Sequence, residues 1–199
     1  MNRIGPAFLF LFFLGTAEIL SQPHSNLEVM YKMLDNSTAK ADSLSGGEKS
    51  INLNLILPST YEILRPKILD SFAKRGFSIK TNDANAPVSI DYTLAALRVE
   101  YKDAFTDGLF GGTLMERAVS INSSIIVKKN DKTVHPFMFQ QSVNDTISLN
   151  ETTTLETPSL PFTQSPVPSL PFLSNLWEPI IVSGTLIVSV ILLFTVRSK

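Results

Sequence analysis

The chain has 199 residues, 17 Lys and Arg against 18 Asp and Glu, and no cysteine. A near-neutral balance with no basic stripe excludes the electrostatic footprint of a nucleic-acid binder, and the lack of cysteine excludes a disulfide scaffold and thiolate metal sites. This length predicts one compact domain plus ends, and an exported domain without disulfides must live on its hydrophobic core alone.

The first residues carry Arg3, the apolar run Ala7–Leu14, and small residues at Gly15, Ala17 and Ser21. That is the layout of a secretory signal peptide over residues 1–21, cleaved after Ala17 or Ser21, with Ser21 favoured; an uncleaved signal anchor is the alternative. Residues 22–148 then form the expected extracytoplasmic domain. Leu27, Met30, Tyr31 and Leu34 share one face of a helix over Asn26–Leu44, with Ser25 or Asn26 as its cap. Ile51, Leu53, Leu55 and Leu57 alternate with polar residues, so Ile51–Leu57 is a strand stopped by Pro58.

Ser59 and Glu62 have capping-box spacing, and Leu64, Ile68 and Phe72 line a second helix face. Pro66 either kinks this helix or marks the first turn of a shorter one. Gly76 suits the left-handed residue after the helix. Phe77–Thr81 is a short second strand, and Asn82–Pro87 a turn. Val88, Ile90, Tyr92 and Leu94 alternate, then Leu97, Val99 and Tyr101 alternate in the opposite phase, which predicts a β-bulge at Ala95-Ala96. A fourth strand alternates through Val119, Ile121, Ser123, Ile125 and Val127. A hairpin turn at Lys129–Lys132 leads to a last strand, Thr133–Val143, where Pro136 favours an edge position. The predicted fold class is therefore α+β: a mostly antiparallel sheet of about five strands with helices packed on one face.

From Leu149 the periodicity dissolves. Residues 149–176 are rich in Pro, Ser and Thr, and Pro-Ser-Leu-Pro-Phe occurs twice, at Pro158–Phe162 and Pro168–Phe172. The composition predicts an extended stalk near polyproline II, or a docking phrase for an aromatic groove. Residues 177–196 are apolar enough to predict one C-terminal transmembrane helix. Trp177, Arg197 and Lys199 stand where interfacial residues belong, with 197–199 as a cytoplasmic tail. Trp177-Glu178-Pro179, the apolar run and the terminal basic residues also resemble the sorting tails of bacterial exosortase substrates, which implies processing of the tail.

Chemistry is sparse. His24 and His135 form no metal-ligand spacing, and neither HExxH nor GxSxG occurs. No catalytic, metal or cofactor-binding residue is assigned. The conspicuous loop is Asp103–Thr113. It has no Gly-Lys-Ser/Thr sequence and no following helix, so it is not a phosphate loop. Phe105, Leu109 and Phe110 on this glycine-rich loop predict a partner-binding lip. Glu100, Asp103, Asp107 and Glu116 flank it as solvated charges, or as carboxylates for acid–base work. Asn36, Asn122, Asn144 and Asn150 begin glycosylation sequons, which matter only in a eukaryotic secretory route.

The order strand, helix ending before Gly-Phe, short strand, then Val-x-Ile-x-Tyr-x-Leu is carried by Ile51–Leu57, Ser59–Arg75, Gly76-Phe77 and Val88–Leu94. It resembles small bacterial envelope domains: the amino-terminal domain of TolB, the curli-secretion lipoprotein, the lipoprotein activators of penicillin-binding proteins, and LPS-assembly lipoproteins. The resemblance implies a non-enzymatic domain that assembles or regulates envelope machinery. The expected function is a membrane-tethered, extracytoplasmic protein-binding domain, an accessory subunit of envelope assembly or secretion. Its expected partners are envelope proteins, met through a strand edge or the Phe105–Phe110 loop, and membrane lipid, met through the C-terminal helix. The rivals are an envelope-polymer hydrolase or transferase using carboxylates near 103–116, and a eukaryotic type I surface glycoprotein.

Overall fold

A computed structural model describes residues 22–80, 86–108, 111–130, 133–169 and 177–197. The signal-peptide expectation, the Asn82–Pro87 turn up to residue 85, and Leu109, Phe110 and Lys199 lie outside the described residues.

Helix α1 spans Asn26–Ser45. Ser25 caps it in a full capping box: its hydroxyl accepts from the Glu28 amide at 3.2 Å, and its own amide donates to the Glu28 carboxylate at 2.9 Å. Strand β1 is Ser50–Ile56. The expected capping box at Ser59 and Glu62 does not form. Pro58 leads instead into a 3-10 turn over Ser59–Leu64 with no side-chain cap, because Glu62 is engaged by Arg65 at 2.7 Å. Helix α2, Arg65–Lys74, begins with Pro66 in its first turn, the shorter-helix alternative. Gly76 then takes φ 81°, which favours glycine, and turns the chain so that Phe77 re-enters the core.

Strands β2 (Ser78–Lys80), β3 (Val88–Thr106), β4 (Thr113–Lys129) and β5 (Val134–Ser148) complete the sheet. Its order is β2-β1-β3-β4-β5. β1 runs parallel to both β2 and β3, while the long β3–β4 and β4–β5 ladders are antiparallel. The α+β class and the five-stranded sheet match expectation. The bulge sits between Leu94 and Ala96, and a second register shift follows between Lys102 and Phe105.

Helices α1 and α2 cover one face. Met30, Met33 and Leu34 of α1 and Ile68 and Phe72 of α2 are buried in one cluster with Ile51, Ile90, Tyr92, Leu94, Val119 and Ile125 of the sheet. A hydroxyl chain crosses this seam: Tyr92 Oη donates to Ser37 Oγ at 3.0 Å, and Ser37 and Ser123 hydroxyls meet at 2.9 Å. Asp35 joins the helices by accepting from Lys67 at 2.9 Å and from the Ser71 hydroxyl. Partial burial works against its charge, but these hydrogen bonds outweigh that and hold its carboxyl below the usual range.

The extended form expected from Leu149 meets ordered turns instead. A 3-10 turn at Leu149–Glu151, the short helix α3 at Thr152–Leu155 and a 3-10 turn at Pro161–Thr163 follow β5. Leu155 and Phe162 are buried in the core.

The expected transmembrane helix must be corrected. A helix, α4, does form over Trp177–Arg197, but among the described residues no helix is long and apolar enough to cross a membrane. Ser183, Thr185, Ser189 and Thr195 interrupt the apolar run. The single-pass placement is withdrawn with it. The side chains of Trp177 and Arg197 lie outside the described residues, so nothing supports their assignment to a membrane interface.

Candidate functional site

Besides β2 at the margin, the sheet shows three strand edges with no partner strand over part of their length among the described residues. β5 carries Pro136 near its start, which lacks the amide an incoming strand needs. β3 outruns β1 after Thr93. There the Tyr61 hydroxyl accepts from the Leu97 amide at 3.1 Å and donates to the Leu97 carbonyl at 3.2 Å. Phe162 stacks edge-on against Tyr61 at 5.3 Å.

The third edge belongs to β1. β2 has three residues and pairs with Ser50–Asn52, whereas β3 pairs with β1 as far as Ile56. From Leu53 to Ile56 no strand lies on the outer side of β1 among the described residues. The Lys49 carbonyl accepts from the Ser78 amide at 2.8 Å on that side. Backbone groups of a parallel strand alternate in direction, so odd-numbered Leu55 turns its N–H and C=O to the free edge. A groove of about 890 Å³ runs alongside, between β1 and α2. Leu53, Leu55, Leu69, Ala73 and Ile79 give it apolar surface, and Asn54, Arg65 and Asp70 give it a polar rim. Asp91 beyond the edge is held by Lys128 at 2.6 Å and by the Asn54 amide at 3.3 Å. A strand edge with no partner among the described residues, beside an apolar trough, has the layout that suits strand addition by an extended peptide.

The loop expected to carry the partner-binding lip is partly visible. Phe105 is 42% exposed at the end of β3, and Leu109 and Phe110 lie outside the described residues. The Asp107 amide donates to the Gly112 carbonyl at 3.0 Å. At Gly111 a Cβ would meet the Asp107 carbonyl oxygen at 1.8 Å, so this close approach of backbone to backbone requires glycine.

Of the carboxylates expected here, Glu100 and Glu116 line one cavity of about 250 Å³ together with Lys102. Glu100 pairs with Lys102 at 2.7 Å, and the hydrogen bond from that lysine holds the Glu100 carboxyl below the usual range, the wrong direction for a proton donor. Among the described residues no cluster of His, Cys, Asp and Glu could hold a metal ion. His135 is exposed on β5, and His24 lies 3.6 Å from Glu28 at the surface.

The sequence reading missed a buried polar clasp. Arg117 on β4 is 1% exposed and pairs with Asp145 on β5. Its other nitrogen donates to the His24 carbonyl at 2.7 Å and to Asn26 Oδ1 at 2.8 Å. The Asn26 amide in turn donates to Tyr101 Oη at 2.9 Å and to the Thr163 carbonyl at 2.8 Å. One network thus ties the start of α1, three strands and the chain beyond β5. The available signal was phase: Arg117 continues the inward alternation of Val119 and Ile121.

Burial, aided by the charge of Glu156 and opposed by the Asn26 donor, pushes the Tyr101 phenol up to about 12. Its ordinary value is about 10. Below pH 10 the phenol is neutral in both folded and unfolded chains, and its contribution to stability is complete. Between about 10 and 12 the unfolded chain ionises first, so stability falls as pH rises. Chemical denaturation across this window should show that decline, and Tyr101→Phe should make it shallower, the remainder coming from Tyr92, whose phenol burial also raises. An unchanged slope in the variant would contradict the assignment.

No family model matches the chain, and no curated protein matches it. Among solved structures it is similar to a minor lipoprotein from Acinetobacter baumannii, with 10% identity over 67% of this chain and 87% of that one, at a TM-score of 0.37. It is also similar to the rare lipoprotein B from Shewanella oneidensis, with 10% identity over 69% and 98% of the chains, at a TM-score of 0.36. A neuraminyllactose-binding hemagglutinin homolog from Helicobacter pylori matches with 12% identity over 50% and 66%, at a TM-score of 0.30. Two of these neighbours are bacterial lipoproteins, the class toward which the strand–helix–Gly-Phe resemblance points, but at these TM-scores the likeness carries no functional argument.

Proposed function

We propose that this chain is an exported binding domain, an accessory subunit of envelope assembly or secretion in a bacterium, which takes an extended segment of a protein partner along the free edge of β1. The observation that supports the reading is the stretch Leu53–Ile56, which no described strand pairs on its outer side, beside the α2 groove. Main-chain hydrogen bonds would give the partner its affinity. Leu53, Leu55, Leu69 and Ile79 would receive alternate side chains and give specificity. A second reading places the partner on the loop lip, supported by the exposed ring of Phe105.

Photo-cross-linking residues at Leu55, Leu69 and, separately, Phe105, in the native host, distinguish the two. The edge reading expects one protein captured from both Leu55 and Leu69, joined at alternate residues of one segment. Leu55→Pro removes the edge-facing amide without taking a hydrogen bond from the β3 ladder. It should abolish capture from Leu69 while shifting the unfolding midpoint by only a few degrees. Capture from Phe105 alone would overturn the edge reading.

A further inference from the structure

The seat of Pro158–Phe162 is made for a sequence the chain contains twice. Phe162 is 8% exposed and packs on Tyr61, and Leu160 packs half-buried against the same core. The Leu160 amide donates to the Thr157 carbonyl at 2.8 Å, and the Thr163 amide donates to the Leu160 carbonyl at 2.9 Å. Asn26, 0% exposed, donates to the Thr163 carbonyl at 2.8 Å. All these contacts use either a side chain that recurs ten residues later, Leu170, Pro171 or Phe172, or a main-chain atom that any residue supplies.

Three side chains make contacts particular to the first copy; one, Gln164, which is Ser174 in the second, donates from Nε2 to the Pro158 carbonyl at 2.9 Å. The buried Thr163 hydroxyl accepts from the Thr157 amide at 3.0 Å and donates to the Leu160 carbonyl at 2.8 Å. The Glu156 carboxylate accepts from the Ser165 amide at 3.1 Å. The second copy has Leu173 and Pro166 in those places.

The geometry points to a dock with two alternative occupants from the same chain: Pro168–Phe172 competes with Pro158–Phe162 for the seat formed by Tyr61, Asn26 and the β3 edge at Leu97. The first register leads through the Thr163, Gln164 and Glu156 contacts, at roughly fivefold per hydrogen bond. The exchange moves ten residues from the far side of the dock to the near side, and the entropy of closing that loop grows slowly with its length. It also resets a distance. Trp177, where α4 begins, lies fifteen residues beyond Phe162 but five beyond Phe172. At about 3.1 Å per extended residue, the maximum reach between dock and helix falls from about 46 Å to about 16 Å.

Three variants of the full chain test this, with the Asn26 side-chain amide and Leu97 amide resonances as probes of the dock. Leu170→Ala/Phe172→Ala should leave both unchanged. Leu160→Ala/Phe162→Ala should keep both near their native positions, because the second copy takes the seat. The fourfold variant should shift them and lower the unfolding midpoint much further. If the first-copy variant matches the fourfold one, or fails to fold as completely, the exchange is overturned. A gentler variant, Thr163→Leu/Gln164→Ser/Glu156→Gln, gives the first copy the weaker flanks and should split both resonances into two sets. The split should collapse when Leu170→Ala/Phe172→Ala is added. A single native set in the gentler variant would overturn the proposal, as would a second set that grows with protein concentration, which assigns the seat to a neighbouring molecule.

Discussion

Phe72→Ala should destabilise the domain by about 3–5 kcal/mol, toward the upper end of what large-to-small core changes cost. Phe72 is buried at the seam between α2 and the sheet. Its ring stands edge-on to Phe77 at 5.6 Å and to Tyr92 at 6.0 Å. The cost of such a cavity depends on how far the walls can close. Here they are pinned: Tyr92 is fixed by its hydrogen bond to Ser37, and Phe77 follows directly on the turn at Gly76. Urea unfolding should show the midpoint falling with the denaturant slope unchanged. A loss under about 1.5 kcal/mol would mean that the seam repacks freely.

Asp145→Ala should cost about 2–3 kcal/mol. Removing one partner of a buried ion pair typically costs about 3–5 kcal/mol, because the other charge is left buried. Two facts lower the figure. Asp145 is itself 37% exposed, and Arg117 keeps the His24 carbonyl and Asn26 Oδ1. The double variant Arg117→Met/Asp145→Leu should recover little of the loss, because it also leaves the buried Asn26 Oδ1 and the His24 carbonyl without their donor. A double-mutant cycle measures the coupling. Additive losses would show that the two side chains do not act as a unit.

Where burial imposed a period, the chain announced its structure. The phase slip at Ala95-Ala96 located the bulge, because the inward set moves from Leu94 to Leu97. Pro66 located the start of α2, and Pro136 located an edge. What escaped depends on contacts distant in sequence. Nothing in Ser78–Lys80 says that, among the described residues, its pairing with β1 covers only Ser50–Asn52. Arg117 lay in a readable phase, but its partners come from His24, Asn26 and Asp145. Pro158–Phe162 has no period of its own and is ordered by Tyr61 and Asn26 from elsewhere in the chain. The lip residues Leu109 and Phe110 remain an expectation drawn from composition. The apolarity of 177–196 foretold a helix, and α4 is there. Among the described residues, however, no helix is long and apolar enough to cross a membrane, and Ser183, Thr185, Ser189 and Thr195 interrupt the apolar run.

The free edge of β1 is tested most directly by amide hydrogen exchange in the chain without a partner. Leu55 should exchange as a barely protected amide, while Asn54 and Ile56, which face β3, exchange with the protection of the core sheet. Protection of Leu55 equal to that of its two neighbours would show that the edge is already filled, and strand addition along it would be refuted.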